Sequence, residues 1–70
     1  MRYDYKIEVL DQELERNFEL KIDIYANDKL LKSYVNWFKA SNILNLKVFL
    51  DKLEKENNVE DLIEYLEFNH

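Results

Sequence analysis

The feature that most constrains the fold is a pair of apolar segments that flank the dipeptide Asn27-Asp28. Before the dipeptide, residues 18–25 place an apolar side chain at every second position, which is the period of a half-buried strand. The chain contains no glycine and no proline, so a tight turn must use residues such as Asn and Asp that tolerate left-handed backbone conformations. The pattern therefore predicts a β-hairpin over residues 17–38.

Residues 29–38 allow a second interpretation, because their apolar side chains also share one face of a helix. We favour the strand, since tyrosine, valine, tryptophan and phenylalanine prefer extended structure. With a two-residue turn at Asn27-Asp28, the predicted pairs are Ala26–Lys29, Tyr25–Leu30, Ile24–Leu31, Asp23–Lys32, Ile22–Ser33, Leu20–Val35 and Phe18–Trp37. The outer face of the sheet would then carry four further side chains, Tyr25, Leu30, Tyr34 and Phe38.

A third alternating segment, residues 2–10, predicts another strand, which a polar connection at residues 11–16 joins to the hairpin. Pairing Ile7 with Ile22 places Lys6 opposite Asp23, and opposite charges across a ladder are favourable. The same register pairs Val9 with Leu20 and Glu8 with Lys21. Hydrophobicity and charge therefore predict the same alignment.

The last third of the chain predicts two helices, because its apolar residues recur at helical spacing. Ser41 or Asn42 could cap the first helix. Asn58 could cap the second, with Asp61 returning a bond in a capping box.

Together these elements predict an α+β fold in a single domain, residues 1–70. It is a three-stranded antiparallel meander (about 2–10, 18–26, 29–37) with two C-terminal helices (about 42–57, 59–68) packed on one face. The alternative is a two-stranded hairpin followed by three helices. The expected core comprises Tyr5, Ile7, Val9, Leu20, Ile22, Ile24, Val35, Trp37, Ile43, Leu46, Phe49, Leu50, Leu53, Leu62 and Leu66. Such a meander leaves two open edges, which need either charges or a partner strand.

The composition argues against an enzyme, a metal site and a bound cofactor. Without glycine the chain cannot build a phosphate-binding loop or a dinucleotide fingerprint. Without cysteine, and with His70 as its one histidine, it lacks the usual zinc ligands. Neither Ser33 nor Ser41 has a histidine base nearby in sequence. We therefore expect a protein without catalysis, and the lack of cysteine favours the cytoplasm.

The net charge of −5 is concentrated in residues 56–70, which hold five acidic residues and no Lys or Arg. Glu60, Glu64 and Glu67 would form one negative ridge on the second helix. This ridge is either a solvated surface or a docking element for a basic surface of another protein, where it would mimic a nucleic acid. Direct nucleic-acid binding is not expected, because no basic stripe is present, and no segment is long and apolar enough to predict a membrane span.

The predicted outer-face cluster of Tyr25, Leu30, Tyr34 and Phe38 is the other candidate partner-binding surface, unless neighbouring segments cover it as a boundary cluster. We therefore expect a small acidic, non-catalytic protein-binding module. It would be an inhibitor or adaptor of the decoy type made by phages and mobile elements. The alternative is a structural or assembly protein, such as a homodimer, that self-associates through its sheet edge or its aromatic face.

Overall fold

The computed structural model describes residues 1–68, which form three strands followed by two helices. They are β1 (Tyr3–Glu13), β2 (Asn17–Ala26), β3 (Lys29–Lys39), α1 (Ala40–Glu56) and α2 (Val59–Phe68). The strands form one antiparallel sheet in the order β1-β2-β3. The predicted α+β meander is confirmed, and the alternative with a helix over residues 29–38 is wrong.

Both hairpins turn on two consecutive residues with left-handed backbone. At the predicted turn, Asn27 and Asp28 have φ angles of 50° and 68°. The first turn uses Leu14 and Glu15 with φ angles of 51° and 57°, although a left-handed conformation costs roughly 1–2 kcal/mol at such residues. Because this turn is so short, β1 reaches Glu13. The predicted connection over residues 11–16 is therefore too long.

The pairing of β1 with β2 follows the predicted register. Ile7 lies opposite Ile22, and Val9 lies opposite Leu20. The charged pairs Lys6–Asp23 and Glu8–Lys21 also form as predicted. A bulge between Val9 and Asp11 then shifts the register by one residue toward the turn.

The pairing of β2 with β3 departs from the predicted register beyond the turn. Tyr25 pairs with Leu30 as predicted, but a bulge follows, and Ile24 pairs with Lys32 instead of Leu31. The predicted pairs Ile24–Leu31, Asp23–Lys32, Ile22–Ser33, Leu20–Val35 and Phe18–Trp37 are therefore wrong. Since side chains alternate between faces, this shift turns every residue of β3 after the bulge to the face opposite the predicted one.

Four aromatic and apolar residues change their predicted environment as a result. Tyr34 and Phe38 pack toward the helices, and Phe38 is only 1% exposed. Val35 and Trp37, which the sequence placed in the core, are 51% and 45% exposed. Alternation favoured the wrong arrangement, because Leu31, Val35 and Trp37 share one predicted face, whereas Tyr34 and Phe38 share the other with Lys32 and Asn36.

The helices lie on the inner face of the sheet, which we define as the face that carries the core. At one end of α1, the amide of Ala40 donates to the carbonyl of Arg16 at 2.7 Å. Beyond the other end of α1, the side chain of Asn57 accepts from the amide of Tyr3 at 3.0 Å. The helix therefore crosses from the β1–β2 turn to the start of β1.

The predicted helix caps have different outcomes. Lys39 occupies the N-cap of α1 without a side-chain bond, so the predicted capping by Ser41 or Asn42 is wrong. Asn58 does cap α2, since its Oδ1 accepts from the amide of Asp61 at 3.2 Å and its Nδ2 donates to Asp61 Oδ2 at 3.0 Å.

The core lies between the helices and the central strand. Its buried members are Leu20, Ile22, Ile24, Phe38, Leu46, Leu50, Leu53, Val59, Leu62, Tyr65 and Leu66. Ile7 and Val9 belonged to the predicted core, but they are 40% and 57% exposed. They line an open groove between α1 and the sheet.

Candidate protein-binding face

The outer face of the sheet, opposite the helices, is organised as four rows of side chains across the strands. From the Asn27-Asp28 turn, the rows are Asp4–Tyr25–Leu30, Lys6–Asp23–Ser33, Glu8–Lys21–Val35 and Asp11–Glu19–Trp37. Their apolar members lie on β3 and the adjacent end of β2, whereas β1 supplies only charges. The outer face therefore has an apolar side and a charged side.

The apolar side, which we call the β3 strip, consists of Tyr25, Leu30, Val35 and Trp37. Leu30 is 58% exposed, and the side chains of Val35 and Trp37 are about half exposed. Ser33 interrupts the strip and donates its hydroxyl hydrogen bond to Asp23. The strip thus presents one pair of side chains near the turn and a second pair, Val35 and Trp37, near the far end of the sheet.

The row that contains Trp37 carries an unfavourable arrangement of charge. Asp11 and Glu19 lie directly opposite each other, and like charges in that position destabilise a sheet. Within residues 1–68, neither carboxylate forms a salt bridge. Two neighbouring rows instead pair opposite charges, Lys6 with Asp23 and Glu8 with Lys21. Negative charge therefore accumulates beside the one tryptophan of the chain.

The structure brings together only half of the predicted outer-face cluster. Tyr25 and Leu30 pair on the outer face as predicted, and Lys6 Nζ lies 5.4 Å from the centroid of the Tyr25 ring, a cation–π distance. The predicted outer-face placement of Tyr34 and Phe38 is wrong, because the bulge turns both toward the core.

Of the three carboxylates in the predicted acidic ridge, one is held by hydrogen bonds within the fold. Glu60 and Glu64 are exposed on α2, but Glu67 Oε2 accepts from the Tyr34 hydroxyl at 2.6 Å and from Lys32 Nζ at 3.3 Å. These two bonds lower the pKa of Glu67, and the tyrosine makes the larger contribution. Burial, followed by the bond to Glu67, raises the pKa of Tyr34 to about 12. Glu67 therefore links α2 to β3 through hydrogen bonds, and Glu60 and Glu64 are the two ridge carboxylates without such bonds in the described part of the chain.

Sequence reasoning missed Val35, Trp37 and Asp11 as outer-face residues and therefore did not bring them together with Glu19. Asp11 and Glu19 meet only because a bulge follows Val9, and Trp37 joins them only because a second bulge follows Leu30. The presence of a single tryptophan was visible in the sequence. Its exposure was not, because a strand register without a bulge buries it.

No family model matches this chain, and neither the curated proteins nor the solved structures contain a significant match to it. Among the helices of residues 1–68, none has the length and apolar character needed to cross a membrane. The same residues contain no cluster of three or more metal-ligating side chains. His70 lies outside the described residues. The candidate site therefore depends on the geometry of the outer face.

Proposed function

We propose that this chain is a non-catalytic protein-binding module whose partner docks on the outer face of the sheet, over the β3 strip. The observation that carries this proposal is the half-exposed Trp37 beside Asp11 and Glu19, two carboxylates that form no salt bridge within residues 1–68. Tryptophan is enriched among residues that dominate binding energy, because it buries a large rigid surface in a partner's pocket. A monomer gains little from leaving such a side chain in water.

The charge around Trp37 indicates the chemistry of the partner. A lysine or arginine of the partner placed near Asp11 and Glu19 would relieve their mutual repulsion. The net charge of −5 would accelerate approach to a basic protein at low ionic strength. We therefore propose a partner with basic side chains around an apolar pocket, with Glu60 and Glu64 as a secondary contact.

An inhibitor or adaptor in the cytoplasm is the role that we propose for such a module. Its small size and its acidic surface resemble those of decoy proteins from phages and mobile elements, which compete for basic sites on their targets. In this role the negative charge of the outer face would imitate a nucleic acid, and the β3 strip would supply the affinity.

The experiment compares capture of partners from a cell lysate by immobilised wild type, Trp37→Ala and the double variant Asp11→Lys/Glu19→Lys. A partner identified by mass spectrometry is then purified and titrated by calorimetry. Loss of a central tryptophan typically costs about 2 kcal/mol or more, so we expect its Kd to rise at least about thirtyfold. Binding should weaken as salt is added.

Leu44→Ala is the matched control, because Leu44 is a large apolar side chain on α1 that is 73% exposed. It should bind the partner as wild type does. If Trp37→Ala also binds with unchanged affinity while Glu60→Lys/Glu64→Lys does not, the partner docks on α2 and the outer face is ordinary surface.

A further inference from the structure

The inner face of the sheet is incompletely covered beside β1. Because α1 crosses the sheet diagonally, it leaves an apolar groove of about 360 Å³ over β1 and the start of β2. Ile7, Val9, Phe18 and Leu20 line its floor, and Ile43 and Lys47 line its α1 side. No polar side chain of the sheet lines this groove. Water there gains few hydrogen bonds, so an apolar occupant is favoured.

The groove opens beside the unpaired edge of β1, which is the outermost strand of the sheet. The amide of Tyr3 donates to the Asn57 side chain at 3.0 Å, and the amide of Tyr5 donates to its neighbour Asp4 at 2.9 Å. Both amides therefore point away from β2. Backbone alternation directs the amides of Ile7 and Val9 to the same edge. Asn57 covers the edge at Met1, whose carbonyl accepts from its Nδ2, and at Tyr3, so the stretch from Tyr5 to Val9 is open to another strand.

We propose that a second copy of this chain pairs with β1 at this edge, antiparallel and centred on Ile7, to form a six-stranded sheet. The two-fold axis of such a pair is perpendicular to the sheet, so the helices of both copies lie on the same side. The two grooves then meet across the axis. Ile7 and Val9 of each copy become covered by the other copy, and the Asp4 bond to the Tyr5 amide is exchanged for a strand bond.

The charges of β1 and the Asn57 bond favour this register over those centred on Tyr5, Lys6 or Glu8. Centring on Lys6 would place Lys6 against Lys6 and Asp4 against Glu8, and centring on Glu8 would place Glu8 against Glu8. Centring on Tyr5 would require the Tyr3 amide, which Asn57 already occupies. With Ile7 at the centre, Lys6 of each copy lies opposite Glu8 of the other, so two opposite-charge pairs form.

The experiment uses this reciprocity between Lys6 and Glu8. Lys6→Glu places a glutamate against Glu8 of the second copy at both symmetry-related positions, and Glu8→Lys places a lysine against Lys6 in the same way. We expect each variant alone to raise the dimer Kd at least about tenfold, measured by analytical ultracentrifugation. An equimolar mixture of the two should recover dimers, because every cross-dimer pair is then opposite in charge.

Recovery on mixing separates the proposal from a loss of folding. Each variant also weakens a pair within its own chain, Lys6–Asp23 or Glu8–Lys21, but mixing leaves those pairs unchanged. Far-ultraviolet circular dichroism checks that each variant is folded. In wild type, hydrogen exchange at the Ile7 and Val9 amides should slow as the concentration rises.

Two results would overturn the proposal. The first is a wild-type mass of 8.6 kDa, that of one chain, up to millimolar concentration. The second is a dimer that survives Lys6→Glu and Glu8→Lys but dissociates with Trp37→Ala, which would place the contact on the outer face. A variant at β1 leaves Trp37 intact, so failure here does not affect the proposed partner site.

Discussion

The relative cost of truncating Trp37 and Phe38 is the most direct test of the β3 register. These neighbours point to opposite faces of the sheet, and the bulge at Leu31 decides which one is buried. In the structure Phe38 is 1% exposed and Trp37 is 45% exposed. A register without the bulge would exchange their environments, so the two alanine variants distinguish the alternatives.

The magnitudes follow from burial. Phe38→Ala removes a ring from a closed core, which typically costs about 3–5 kcal/mol in the free energy of unfolding. Trp37→Ala removes a side chain from a solvated strand face, where substitutions typically change stability by about 1 kcal/mol. A domain of 70 residues is stable by only roughly 4–10 kcal/mol, so Phe38→Ala leaves a small margin. Phe38→Leu, expected to cost about 1–1.5 kcal/mol, is the gentler companion.

The assays are urea denaturation and thermal denaturation, both followed by far-ultraviolet circular dichroism because Trp37→Ala removes the only tryptophan fluorophore. Each kcal/mol should lower Tm by about 4–8 °C in a domain of this size, so Phe38→Ala should lose at least about 12 °C. If Trp37→Ala costs more than Phe38→Ala, the bulge and the exposed β3 strip are both refuted.

Four further predictions test other features of the fold. Deleting Leu31 removes the bulge and keeps regular alternation from Leu30 to Lys32. The free energy of unfolding in urea should therefore change by no more than about 1 kcal/mol. As the control, deletion of Lys21 from the central strand should prevent folding. Replacing Leu14 with Asn and Glu15 with Gly relieves two left-handed residues and should raise Tm, with a gain of roughly 1 kcal/mol at each position. Because the pKa of Glu67 is lowered in the folded state, its ionised form stabilises the fold. This stabilisation is complete above the unfolded-state pKa and is lost as the pH falls through the folded-state pKa. Glu67→Gln should therefore flatten the acid side of the curve of stability against pH. The pKa of Tyr34 is raised to about 12, so its protonated form stabilises the fold. This stabilisation is complete below pH 10 and is lost as the pH rises through about 12. Glu67→Gln should bring the ultraviolet titration of Tyr34 closer to that of an ordinary tyrosine.

The sequence was sufficient to predict how β1 pairs with β2, because two independent signals agreed there. Apolar alternation and opposite charges both required Ile7 opposite Ile22 and Lys6 opposite Asp23. In β3 the same two signals were misleading, because the apolar side chains of Leu31, Val35 and Trp37 and the predicted charge pair Asp23–Lys32 both favoured a register without the bulge. The inward arrangement is supported by Glu67 on α2, which bonds to Lys32 and Tyr34 from more than thirty residues away in sequence. A local pattern cannot contain that information.

The groove beside β1 was unpredictable for a related reason. Alternation correctly placed Ile7 and Val9 on the inner face, but it could not show which part of that face α1 would cover. Coverage depends on the diagonal path of α1, which the contacts of Ala40 with Arg16 and of Asn57 with Tyr3 hold at its two ends. A strand can therefore have a correct pattern and still leave its apolar side chains open to a second chain.

The two proposals together have a geometric consequence that neither has alone. In a six-stranded sheet paired at β1, the two β3 strands lie at opposite edges, five strand spacings or about 24 Å apart. Both β3 strips face the same side, because the two-fold axis is perpendicular to the sheet. A partner that presents two basic, apolar pockets at that spacing would bind both copies at once, and the second contact would occur at high effective concentration. Lys6→Glu should then weaken binding to such a repeated target relative to a single isolated site, and an equimolar mixture with Glu8→Lys should reverse that loss, whereas Trp37→Ala should weaken binding to both targets.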